Sequence, residues 1–130
     1  MVPGGRFREM YYWDTYWVIR GLIQCQMLAT VKGILENFVW LIKRFGMIPN
    51  GTRAYYTGRS QPPMFIQMVK DYLDASGDEE FVRNHLKYLE QEYSYWTKSH
   101  QITVYQPGGE EHKMFRYIVI ATIVYILSRD

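Results

Sequence analysis

The densest run of chemically able side chains is PGGRFREMYYWDTY, residues 3–16, in which Gly4 and Gly5 precede Arg6, Phe7, Arg8, Glu9, Tyr11, Tyr12, Trp13 and Asp14. Two glycines allow a close backbone approach to whatever the following side chains hold. Recognition of a neutral polyol needs charged or amide groups that hydrogen-bond adjacent hydroxyls, set beside a ring that covers an apolar C–H face. Trp13-Asp14 supplies such a pair. A core ring at 13 and a helix N-cap at 14 would satisfy the same spacing, so both readings stay open on the residues alone. A second polar cluster follows at residues 46–63, GMIPNGTRAYYTGRSQPP, with Asn50, Arg53, Tyr55, Tyr56, Arg59, Ser60 and Gln61 framed by proline and glycine. There the plain alternatives are an exposed loop arginine at 59 and a helix-capping glutamine at 61.

Other chemistry finds little support. His85, His100 and His112 have no metal-ligand spacing, and no cofactor is implied. Glu110-Glu111-His112 reads as a solvated loop. Gly4-Gly5 and Gly108-Gly109 lack the Lys-Ser/Thr of a phosphate-binding loop, and no Ser/His/Asp arrangement stands out. Fifteen basic and thirteen acidic residues are dispersed along the chain, so no block of like charge steers nucleic acid or anionic lipid. Cys25 is the only cysteine, which excludes an internal disulfide, and it is expected to sit on a helix. The aromatic share of 17% suits both an ordinary core and a groove lined with rings.

These residues need elements to position them. At 130 residues and 48% apolar, the chain is sufficient for one core. Over residues 14–44 apolar side chains recur at helical intervals (Trp17, Val18, Leu22, Leu28, Val31, Ile34, Leu35, Phe38, Leu41, Ile42). This predicts two helices, or one kinked helix, with the weak point near Gly21 and the stop at Gly46. Pro62 or Pro63 is expected in the first turn of a third helix whose face is Phe65, Met68, Val69, Tyr72 and Leu73, closing at residues 75–77. Asp78 opens a fourth, with Glu79 and Glu80 in its first turn, running to about Lys98. Residues 99–113 read as a loop or hairpin around Pro107-Gly108-Gly109. The fold class expected is therefore all-α, built of antiparallel helix pairs that close as a ring, stack as a solenoid or form a bundle.

The ends carry separate expectations. Residues 117–127, YIVIATIVYIL, form an eleven-residue apolar run, shorter than the roughly 20 residues a membrane span needs. Membrane association is not indicated by this run. The first residues show no basic region followed by an apolar stretch of a signal peptide, and the compartment stays open.

Pro3-Gly4-Gly5-Arg6-Phe7-x-Glu9-x-Tyr11-x-Trp13-Asp14-x-Tyr16 resembles the first trehalase signature, PGGRFxExYxWDxY, at every specified position. Ile48-Pro49-Asn50-Gly51 and Arg59-Ser60-Gln61-Pro62-Pro63 resemble that family's IPNG and RSQPP segments, and the likeness continues through Glu92, Tyr95 and Trp96 to Arg116-Tyr117. The resemblance implies a glycoside hydrolase of α,α-trehalose, an (α/α)6 barrel of which this chain holds only part, and a sugar pocket built from loops at one end. By position it implies Arg6, Phe7, Trp13, Asp14, Asn50, Arg59, Ser60 and Gln61 as substrate-binding residues, with trehalose as the small-molecule partner.

The same resemblance marks what differs. An inverting glycosidase uses one carboxyl as acid and another as base, about 6.5–9.5 Å apart. The family's GWDFSS-like segment with the acid, its later glutamate base, its PRPES-like segment and its QWDxPxGWAP signature do not occur in this sequence. No catalytic residue is therefore assigned. Residues 1–117 are read as a partial catalytic domain and residues 118–130 as a divergent apolar tail. Alongside the enzyme reading stand a sugar-binding remnant without turnover and a helical interaction protein, which trehalose titration and a glucose-release assay distinguish.

Overall fold

A computed structural model describes residues 1–56 and 58–116. Four helices, α1 (Tyr12–Gln24), α2 (Leu28–Phe45), α3 (Phe65–Ser76) and α4 (Glu79–Ser99), precede two strands, β1 (Gln101–Tyr105) and β2 (Glu111–Phe115). The apolar stretch at 118–130 lies outside the described residues. Fully buried Ile19, Val31, Leu35, Phe38, Ile42, Phe65 and Met68 form the core between α1, α2 and α3, and Phe81 and Leu89 extend it to α4. The helical spacing seen in the sequence is the spacing of this apolar stripe.

Two sets of hydrogen bonds show that the helices alternate in direction. At one end the Tyr12 amide donates to the Asn50 carbonyl just beyond α2, and the Phe65 amide opening α3 donates to the Tyr12 hydroxyl. At the other end, Lys32 near the start of α2 and Tyr72 near the end of α3 meet Asp78, the N-cap of α4. The loops before α1 and between α2 and α3 therefore share one end of the molecule with the close of α4.

The α1–α2 break does not fall at Gly21, which lies within α1. It falls at Gln26, whose φ of 58° is left-handed. The Gln26 amide donates to the Ile23 carbonyl and the Met27 amide to the Leu22 carbonyl, the pair of bonds that closes a helix around a left-handed residue. Glutamine stands where glycine is usual, so the sequence carried no marker there. Cys25 is the exposed C-cap of α1 and not a residue of its body. Pro62 and Pro63 precede the Met64 N-cap and lie outside α3. Residues 101–115 take the hairpin form, with Gln101 opposite Phe115 and Tyr105 opposite Glu111, so an otherwise helical fold carries one small antiparallel ribbon.

Asp78 makes the far end sensitive to acid. Its Oδ1 accepts from the Phe81 amide at 2.9 Å, and its Oδ2 accepts from Lys32 at 2.7 Å and from the Tyr72 hydroxyl at 2.9 Å. The Lys32 bond, followed by the cap bond and Tyr72, lowers its carboxyl from 3.8 to about 2. A folded-state pKa below the unfolded value contributes stability at higher pH that is lost as pH falls through the interval between them. The melting temperature is expected to drop between pH 4 and pH 2, and the gap separating wild type from Asp78→Asn at neutral pH is expected to close over that interval. Parallel melts of the two proteins that keep a constant gap down to pH 2 would remove Asp78 as the cause.

Candidate functional site

The site end is assembled from the segment leading into α1 and the loop between α2 and α3. Gly4 and Phe7 exchange backbone hydrogen bonds, a tight turn that uses Gly4 and Gly5 at positive φ of 108° and 57°. This turn holds Arg6 and Phe7 at the surface, with the Arg6 guanidinium 4.9 Å from the Phe7 ring centroid. Phe7 meets the Tyr11 ring edge-on at 5.8 Å.

Glu9 ties this segment to the loop. It is 7% exposed. Its Oε1 pairs with Arg53 Nε at 3.0 Å and accepts from the Tyr11 hydroxyl at 3.3 Å, while its Oε2 accepts from the Arg53 amide at 2.9 Å. A hydrogen bond with Tyr56, burial and the Glu9 charge push the Tyr11 phenol up to about 12. Tyr11 also bridges to Gly51, where an added Cβ would stand 2.8 Å from the Tyr56 ring and 3.0 Å from Glu9 Oε2. Only glycine fits that junction.

Gln61 decides how the two motifs meet. Its Oε1 accepts from the Trp13 amide at 3.0 Å, and its Nε2 donates to Asp14 Oδ2 at 3.4 Å. A helix N-terminus leaves amides without intrahelical partners, and an N-cap side chain normally takes one of them. The N-cap of α1 is Tyr11, which supplies no such side-chain bond. Gln61 provides it from 48 residues away. Asp14 is thus not the N-cap that its spacing permitted. It lies in the first turn of α1, half-buried, with Oδ1 lacking a partner among the described residues.

The remaining candidates occupy the same junction. The Asn50 amide donates to the Arg59 carbonyl at 2.7 Å, closing the loop on itself. Arg59 is exposed, its guanidinium 5.5 Å from the Tyr56 ring centroid. Trp13 is 42% exposed, an unusual state for so large a ring and contrary to its reading as a core residue. Ser60 is buried and donates to the Ile48 carbonyl at 2.6 Å, a bond that fastens the loop to the core side. The structure therefore brings Trp13, Asp14, Asn50, Arg59, Ser60 and Gln61 together. Arg6 and Phe7 adjoin them through Tyr11.

A chain similar over most of its length gives this junction a context. A sequence profile of the trehalase family matches residues 1–122. The chain belongs to the trehalase family. A trehalase from Apis mellifera is 49% identical over 117 residues, which are 90% of this chain and 18% of that protein. A human trehalase is 44% identical over 119 residues, 92% of this chain and 20% of that protein. The solved structure of neutral trehalase Nth1 from Saccharomyces cerevisiae superposes with a TM-score of 0.68 at 33% identity, over 75% of this chain and 19% of that one. The chain spans about a fifth of the length of the curated trehalases it matches. Its alternating helix pairs are a segment of the family's helical toroid, which resolves the choice among ring, solenoid and bundle.

Two features of this trehalase segment had no role assigned from the sequence. Glu92 is 1% exposed on α4, its carboxylate accepting from Tyr12, Trp96 and the Ile48 amide. The available signal was a glutamate in helical register with Leu89 and Trp96. A cleft of about 600 Å³ also opens between Pro62-Pro63, the end of α4 and Phe115. Tyr12 and Glu92 line it, but none of the eight substrate-binding candidates does. Among the described residues no group of His, Cys, Asp or Glu could hold a metal ion, and no helix is long and apolar enough to cross a membrane.

Proposed function

We propose that this segment supplies the sugar-holding face of an enzyme that hydrolyses α,α-trehalose to two glucose molecules by an inverting mechanism. The observation that carries the reading is the Gln61 amide, which joins Trp13 and Asp14 of one motif to the RSQPP loop of the other. Trp13 and Phe7 offer ring faces for the sugar's C–H surface. Asp14 Oδ1 accepts from hydroxyls, and Arg6 and Arg59 donate several hydrogen bonds each. Asn50 and Gln61 present amides that do both, while Ser60 keeps the loop in register. The acid and base of the reaction belong to segments outside this sequence. The 130 residues bind and orient sugar but do not cleave it.

Arg59 tests the assignment. Losing a charge-assisted hydrogen bond costs about 1.5–3 kcal/mol, roughly a tenfold to more than hundredfold change in an equilibrium or rate. Trehalose titrated into the chain is expected to shift the Trp13 indole resonance saturably, and Arg59→Ala is expected to weaken that binding by this factor while leaving the melting temperature within about 2 °C, since exposed substitutions cost about 0.5 kcal/mol or less. In a trehalase-length polypeptide bearing the segment, kcat/KM is expected to fall by the same factor. Unchanged affinity and unchanged kcat/KM would return Arg59 to the status of a surface loop residue.

A further inference from the structure

We infer that Glu92 is the positioning residue of the sugar-holding face, its buried carboxylate fixing the start of α1 through Tyr12 and the Asn50 loop through Ile48. The inference rests on the sugar-binding reading above for what the face holds, but its geometry stands apart from that reading.

Three donors converge on this one carboxylate. Oε1 accepts from the Tyr12 hydroxyl at 2.7 Å and from Trp96 Nε1 at 3.1 Å, and Oε2 accepts from the Ile48 amide at 3.2 Å. The Tyr12 oxygen, donating to Glu92, is left to accept from the Phe65 amide at 3.2 Å. A single chain of hydrogen bonds therefore links α1, α3, α4 and the loop after α2. Each arm ends beside the proposed sugar contacts, since Tyr12 precedes Trp13 and Asp14, and Ile48 precedes Asn50 by two residues and accepts from Ser60. Glu92 touches none of the sugar candidates itself.

A buried carboxylate is costly for packing alone. A leucine at 92 would continue the apolar stripe of Leu89 and Trp96 without desolvating a charge. Burial pushes the Glu92 carboxyl above its ordinary value, and the three donors oppose that shift. What the carboxylate provides and leucine lacks is two acceptor oxygens facing opposite ways, one to each motif. Glutamine retains the shape and one oxygen. With that oxygen kept on Tyr12 and Trp96, its NH2 confronts the Ile48 amide, donor against donor.

Amide hydrogen exchange and trehalose titration of the full 130-residue chain test this together. In Glu92→Gln, exchange at Ile48 and Asn50 is expected to accelerate about tenfold or more, as for loss of a buried hydrogen bond. Leu35 and Ile42 in α2 should change little, and trehalose affinity should fall severalfold. Unchanged exchange at Ile48 and Asn50, or equal acceleration throughout α2, overturns the positioning role and leaves Glu92 a general packing residue. A wild-type chain that shows no saturable trehalose binding overturns the sugar-binding reading, and the exchange pattern then decides the positioning role alone. Should Glu92→Gln not fold, Tyr12→Phe is measured instead. Faster exchange at Trp13 and Phe65 with Ile48 still protected supports the two-armed arrangement, and the converse pattern refutes it.

Discussion

Incubated with trehalose, the purified 130-residue chain is expected to release glucose no faster than buffer does. Of the carboxylates at the site end, Glu9 is buried against Arg53 and Tyr11, and Glu92 lies behind the face with three donors on it. Asp14 alone has an oxygen without a partner among the described residues. Inversion requires an acid on one side of the glycosidic bond and a base-activated water on the other, so a single carboxylate does not suffice. Positioned acid–base groups contribute about 10²–10⁴-fold each, and their absence leaves nothing measurable in an overnight coupled glucose assay. Sustained release that Asp14→Asn abolishes would make Asp14 catalytic and reverse the division of labour proposed for this segment.

Phe38→Ala is expected to remove about 3–5 kcal/mol, a large share of a total stability that for small proteins is about 5–15 kcal/mol. Phe38 is 1% exposed at the centre of α2, its ring centroid 5.7 Å from those of both Tyr12 and Phe65. The truncation therefore opens a cavity under the residue that carries the Glu92 bond. Trp40, two positions on, is 57% exposed on the opposite side of the same helix. Trp40→Ala is expected to stay within about 0.5 kcal/mol despite removing a larger side chain. Urea titrations of both variants check the contrast, and comparable midpoint shifts would mean that the apolar face of α2 has been assigned to the wrong residues.

Much of the helical frame was legible because its signals are local. Gly46 and Gly77 end α2 and α3 in left-handed conformations, and Asp78 caps α4 by accepting from Phe81. The misplaced starts of α1 and α3 share one physical cause. Asp14 was a reasonable N-cap by type, yet α1 starts earlier because the Tyr12 amide bonds to Asn50 and the Trp13 amide to Gln61. These are tertiary partners doing what a local side chain usually does. In the same way, the Phe65 amide finds the Tyr12 hydroxyl, so α3 begins at its own apolar face and not at the prolines. Motif resemblance picked out the loop residues that converge with Trp13 and Asp14, but not which of them turn inward. Ser60 and Gln61 are adjacent, and only their bonds separate a buried fastener from a cap at the face.

The bond between Tyr12 and Glu92 joins residues 80 apart in the chain. On a ribosome adding about 5–20 residues per second, the first partner is made roughly 4 to 16 seconds before the second. During that interval α1 and the RSQPP loop can meet, but neither arm of the Glu92 link can form. The Tyr12 side chain thus waits without its α4 partner until Glu92 is synthesised, the interval in which a chaperone would find most to hold. Translation pauses placed just before residue 92 should lengthen that exposure, whereas pauses placed well after it should not.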